Sequence, residues 1–238
     1  MARLPRLTIP GLPHLVVQRG HNGASVFGDD VDRKNLLTVA QGYAADTGVE
    51  VHAWAFTSNR VFWLLTPSST EALPKFMQAL GRKYTRQFNA RYGRTGTLWE
   101  GRYRVSVLQP EIWVVPAMVF LDTLSVREGL GVHPFEQAWS SGAHLAGRPA
   151  PHLPLSFPGR GWAPHSAYWA LGNTPFAREA AYAGRVEAGL SDQQIQVLEK
   201  TTRQGWVLGD SDFIQNLQSQ TERRLTQAKP GRPRKPRD

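Results

Sequence analysis

Lys75, Arg82, Lys83, Arg86, Arg91, Arg94, Arg102 and Arg104 are eight basic residues set against one acid, Glu100, a local charge of +7. Acidic partners for i,i+4 pairing are absent between Lys75 and Arg94, which leaves the charges of that stretch free, and guanidinium and ammonium groups in such density suit phosphate oxygens. Tyr92, Trp99 and Tyr103 lie close by in sequence, where they suit either base stacking or a core. Metal chemistry has less to work with. The chain has no cysteine, which excludes disulfides and thiolate sites, and its seven histidines are scattered. His14 and His52 are expected on neighbouring strands, as structural or exposed residues.

The rest of the chain must position these cations. Net charge is +9 with a sequence pI near 10.2, and a second basic run, from Thr221 to Asp238, has seven basic residues against Glu222 and Asp238. Outside the two runs the chain is slightly acidic. Two basic patches on a near-neutral body point to a polyanion, nucleic acid ahead of a membrane, because no basic amphipathic helix has a free apolar face. At 238 residues and 41% hydrophobic, the chain can bury its own core. It shows neither an apolar run of the ~18 residues needed for a membrane span nor the apolar core of a signal peptide at Met1–Arg6, and a cytoplasmic, nucleoid-associated protein is expected.

Short apolar runs predict strands at His14–Gly20, Val49–Phe56, Arg60–Leu65 and Tyr103–Leu108. Alternation along the third puts Val61, Trp63 and Leu65 on one side and Arg60 and Phe62 on the other. Asp29 or Asp30 caps a helix to about Thr47, stopped by Gly48. A second helix, Thr70–Arg91, repeats Leu73, Phe76, Met77, Leu80, Tyr84 and Phe88 at helical spacing, and a third runs from Pro110 to about Glu128 with Pro116 inside it. This order predicts an α+β ferredoxin-like plait: a four-stranded antiparallel sheet with helices on one face. The organisation expected is a DNA-binding domain at 1–144, a Pro/Gly-rich linker or cover at 145–163, a helical extension at 164–220 and a basic, disordered tail at 221–238.

The run from Val49 to Leu65 resembles the central hairpin of the REP-associated tyrosine transposases, which belong to the single-tyrosine HUH group within the IS200-like transposases. Gln18-Arg19-Gly20, the octapeptide Thr97–Arg104, Trp139-Ser140-Ser141, Pro164-His165 with Tyr168, and Gly205–Gly209 are similar to the long form of that family in the same order. The resemblance implies a His-hydrophobic-His pair holding Mg or Mn, a nucleophilic tyrosine on the third helix, and an amide one turn later. Here those positions read Arg60, Phe62, Phe120 and Leu124. Neither a guanidinium nor a phenyl ring offers a lone pair to a metal, and phenyl carries no nucleophile. No cofactor is therefore expected. Without the resemblance, Phe62, Phe120 and Leu124 are packing residues, and Arg60 is either a surface charge or a phosphate contact.

The sequence is thus read as a DNA-binding protein that has lost strand cleavage. The DNA implied by the resemblance is hairpin or single-stranded, with Arg19, Arg60 and the eight cations above at the contact. Lys229–Lys235, with Arg232 and Arg234 around a Gly-Arg-Pro core, resembles an AT-hook, which lays arginine into the minor groove of A·T-rich duplex. An active transposase and an RNA-binding or structural protein are the alternatives. Members of the family often dimerise through the plait, so a homodimer is the oligomer it implies.

Overall fold

The computed structural model describes residues 6–131, 133–136, 139–150 and 159–227. Four strands, β1 (His14–Arg19), β2 (Val49–Phe56), β3 (Arg60–Pro67) and β4 (Arg104–Val107), form one antiparallel sheet in the order β2-β3-β1-β4. Helix α1 (Asp30–Thr47) connects β1 to β2, and α2 (Ala72–Tyr92) connects β3 to β4, which completes the plait. Asp29 caps α1 reciprocally with Asp32, and Gly48 ends it at φ +73°, a left-handed position that favours glycine. The predicted α2 stripe from Leu73 to Phe88 is buried.

The layers differ from expectation in one respect: helices cover both faces of the sheet. Val16, Val61, Trp63 and Leu65 pack with α1 and α2. The opposite face, with Leu15, Phe62 and Leu64, is covered by α3 (Pro110–Asp122) and by parts of the chain beyond it. Both faces of β3 are apolar from Val61 to Leu65, so leaving either bare would expose a large hydrophobic surface. A bulge at His52, where Val51 pairs with Leu65 but Ala53 with Leu64, switches which residues of β2 face each layer.

The third helix also differs from its predicted length. It passes through Pro116 and is interrupted at Thr123, whose hydroxyl donates to the Val119 carbonyl at 2.7 Å before a single turn, α4 (Leu124–Arg127), resumes. Then come α5 (Gly142–Leu145), α6 (Ser166–Trp169), α7 (Pro175–Ala188), α8 (Asp192–Gln204) and α9 (Ser211–Ser219).

The chain after α4 closes both sheet edges, which would otherwise present unpaired backbone groups. On the β2 side, Phe56 N–H donates to Trp139 O at 2.8 Å and Val51 N–H to Gly161 O at 2.9 Å; on the β4 side, Leu208 N–H donates to Val107 O at 2.8 Å. Residues 221–227 depart from the expected disordered tail. Apolar Leu225 is buried beside Leu7, Val207 and Leu217, and its carbonyl accepts from Val207 N–H at 3.0 Å. Trp162, in the stretch read as linker or cover, is buried with its ring 5.0 Å from Trp54 and 6.1 Å from Trp63. Trp162→Ala should therefore cost about 3–5 kcal/mol. Urea denaturation followed by fluorescence and far-UV circular dichroism should show one coincident transition at a lower midpoint.

Candidate nucleic-acid interface

β1 lies between β3 and β4, and its register places Arg19 opposite Arg60, and Val17 between Phe62 and Arg104. These side chains share the face that carries Leu15 and Phe62, because residues two apart on a strand point the same way. α3 lays Phe120 against that face, with the Phe62 and Phe120 rings edge-on at 6.3 Å and 74°. Arg60, Phe62, Phe120 and Leu124 all line one cavity of about 990 Å³. The three apolar residues are nearly buried and close its floor.

The two arginines facing each other across β1 and β3 would repel one another if left unpaired. Arg60 forms an ion pair with Glu128, just beyond α4, and Arg19 approaches Glu100 at 3.6 Å. Gly23 allows the position of Arg19: it sits at φ +72°, and a Cβ there would lie 2.7 Å from Arg19 Nη2. Arg127 rests its guanidinium over the Phe120 ring at 4.2 Å, donates to the Phe120 carbonyl at 2.6 Å and meets Glu199 at 3.5 Å. The cavity has a second wall, α8, which packs on β4 and β1. Lys200 and Arg203 line that wall, and Arg102 and Arg104 the sheet side. None of these four has a carboxylate within ion-pair distance among the described residues.

These residues do not fit a divalent metal. Phe62, Phe120 and Leu124 carry no ligand atom, and the carboxylates Glu100, Glu128 and Glu199 each face an arginine. His21 and Asn22 stand at the mouth, yet no group of three metal-ligating His, Cys, Asp or Glu side chains occurs among the described residues.

The other predicted cations do not join this cavity. Lys75, Arg82, Lys83 and Arg86 are exposed on α2, on the opposite side of the sheet. Arg91 is not a free cation, contrary to the sequence reading. Its partners come from α1 and its cap: it donates to Asp32 Oδ1 at 2.6 Å and to Asp29 Oδ2 at 2.5 Å, and it holds the Asp29 carboxyl down at about 2. Arg94 lies 5.4 Å from the Phe88 ring centre. Trp99 and Tyr103 are core residues rather than stacking surfaces, while Tyr92 is partly exposed and donates to Asp32 at 2.8 Å. Arg232 and Arg234 lie outside the described residues.

His14 and His52 are not on neighbouring strands, since β3 and β1 run side by side between β2 and β4. His14 is bonded to the Leu12 carbonyl at 2.8 Å and His52 to the Ala163 carbonyl at 2.7 Å; burial pulls both imidazoles down to about 4. Both are therefore neutral structural groups near neutral pH. Lys200, Arg203 and Glu128 were missed in the sequence, because they lie outside the basic runs and only the fold brings them to the β1–β3 face.

Residues 13–112 match the family model for IS200-like transposases. This stretch is an IS200-like transposase domain. It contains the whole sheet, both connecting helices and the Arg60-Val61-Phe62 strand, whereas Phe120 and Leu124 lie beyond it and join the site through geometry. A REP-associated tyrosine transposase bound to a REP hairpin shares the fold, with 13% identity over 62% of this chain and 87% of that one and a TM-score of 0.51. A transposase-like protein from Deinococcus radiodurans R1 aligns at 19% identity over 56% of this chain and 99% of its own, with a TM-score of 0.37. A bacterial tRNA(His) guanylyltransferase-like protein in complex with GTP aligns at 14% identity over 51% and 68%, with a TM-score of 0.36. No curated protein is similar enough in sequence to match.

Proposed function

We propose that this transposase-family protein binds hairpin or single-stranded DNA in the manner of the REP-associated group and does not cleave it. One observation carries the reading: Arg60, Phe62, Phe120 and Leu124 meet at a single cavity and supply positive charge and apolar surface, but neither ligand atoms for a metal nor a nucleophile. The uncompensated cations around the cavity and along α2 favour a phosphate backbone. The reported hairpin complex of the structural relative supports DNA over RNA as the partner. Arg60, already paired with Glu128, would set the local potential and meet phosphate only by exchanging that partner.

Fluorescence anisotropy with a DNA hairpin and the matched RNA hairpin over a salt series tests this. Affinity for DNA should exceed that for RNA and fall steeply with salt, by about 0.7–0.9 logarithmic units per contacted phosphate for each decade of salt. Replacing Arg82, Lys83 and Arg86 by Ala should weaken binding to every DNA sequence and flatten the slope. Deleting Lys229–Asp238 should mainly lower affinity for A·T-rich duplex. Equal affinity for RNA would reject DNA as the preferred partner.

A further inference from the structure

Two groups of unpaired cations face away from each other, with the larger hydrophobic core between them. Phe76 and Leu80 of α2 are buried in that core with Trp63 of β3, and the Phe76 and Trp63 rings meet edge-on at 6.4 Å. The cavity opens from the other side of the same sheet. Lys75, Arg82, Lys83 and Arg86 stand on the outer side of α2, all exposed, and none forms an ion pair among the described residues. Glu71, at the cap of α2, is the acid nearest to them in sequence, and no ion pair joins it to Lys75. At 3.6 residues per turn, Lys75, Arg82 and Arg86 fall within roughly 40° of one another, a straight row about 16 Å long. Gln78, Ala79 and Thr85 fill the positions around the row, so it carries charge but no aromatic side chain on which a base could stack. Charge without a stacking surface fits the phosphate backbone of a duplex, and the row spans about half a turn of one.

Duplex DNA is stiff, with a persistence length of about 150 base pairs. A hairpin held at the cavity therefore cannot bend its short stem round the core to reach the row on α2. We infer that α2 is a second, separate DNA surface, which takes the backbone of another duplex segment without regard to its sequence while the hairpin is held at the cavity. One protein molecule then joins two DNA segments on opposite sides of its sheet. The inference rests on the DNA-binding reading and adds a second partner to the same chain.

The test fixes a DNA hairpin to beads, loads the protein on it at low salt, and adds a fluorescent, blunt, G·C-rich duplex of unrelated sequence. The duplex should be captured in an amount that approaches the loaded protein, and salt should release it. Replacing Arg82, Lys83 and Arg86 by Ala should lower capture by about tenfold or more at matched loading, a comparison that removes any loss of affinity for the hairpin itself. These side chains are exposed, so circular dichroism should show the triple variant folded like the parent. Lys200→Ala with Arg203→Ala should reduce loading on the hairpin but leave capture per loaded molecule unchanged. Deleting Lys229–Asp238 should also leave capture of this duplex unchanged; if the deletion abolishes capture and the triple variant does not, the tail makes the second contact and the inference is wrong. Undiminished capture by the triple variant would likewise overturn it, since the second duplex would then sit on another surface or another copy of the protein. Loading without capture would end the inference and leave the DNA-binding reading standing. If the protein neither loads on the hairpin nor binds the duplex in solution, both fail.

Discussion

Incubated with hairpin or single-stranded DNA and magnesium or manganese, the unmodified protein should form no covalent adduct and leave no nick, and Phe120→Tyr alone should not change this. A hydroxyl added to the Phe120 ring would enter a site where Arg127 already lies 4.2 Å from the ring centre. That cation would favour a phenolate. The phosphate, however, would still lack a metal, a Lewis acid worth several kcal/mol of transition-state stabilisation, or roughly a thousandfold in rate. Arg60→His, Phe62→His, Phe120→Tyr and Leu124→Asn made together should restore weak, metal-dependent nicking. All four positions face one cavity, and Phe62 and Phe120 are already edge-on at 6.3 Å. Removing Arg60 also frees Glu128, which adds a carboxylate beside the new imidazoles. Denaturing gels with end-labelled DNA read both results. A tyrosine-linked adduct formed by the unmodified protein would overturn the proposed inactivity, and a folded but inert quadruple variant would show that the residues no longer converge on a reactive geometry.

Features of the sheet that depend on local periodicity were legible in the sequence. Alternation alone places Arg60 and Phe62 on the same side, and the stripe from Leu73 to Phe88 identifies the buried side of α2. Asp29 and Gly48 mark the ends of α1 because capping chemistry is local. What escaped depends on long-range packing. Arg91 has no acid within a turn of its own helix and finds Asp29 and Asp32 on another. The bulge at His52 adds a residue to β2 that period-two reading does not detect. The α8 wall was hidden for the same reason. Leu198 and Thr202 stand one turn apart, which marks an inward stripe but not which surface it meets, and the cations nearby belong to no basic run. The second helical layer follows from residues that alternation did reveal, since an apolar Phe62–Leu64 face had to be covered by something.

Changing pH should expose a buried acid that holds the two parts of the chain together. Asp122, the last residue of α3, is fully buried, accepts from the Tyr182 hydroxyl of α7 and from Ser141 Oγ at 3.0 Å, and burial pushes its carboxyl up to about 7 from an ordinary 3.8. The hydroxyls of Tyr182, Ser141 and Ser140 and the Gly142 N–H hold it back from rising further. Between pH 4 and 7 the folded protein therefore binds this proton more tightly than the unfolded chain. The stabilisation is full below pH 4 and is lost as pH rises towards 7, a difference on the order of 4 kcal/mol. His14 and His52 act in the opposite sense. Their imidazoles are depressed from 6.5 to about 4, so the stability they contribute is present above pH 6.5 and lost as pH falls towards 4. The total profile mixes the two, and only a difference isolates the carboxyl. Asp122→Asn keeps the size and a hydrogen-bonding side chain but cannot ionise. Urea denaturation of both proteins from pH 4 to 8 should show the variant gaining stability relative to the parent as pH rises, with the gain levelling off above about pH 7. A pH-independent difference between the two proteins would mean that Asp122 ionises normally in the folded state, with its four donors outweighing its burial.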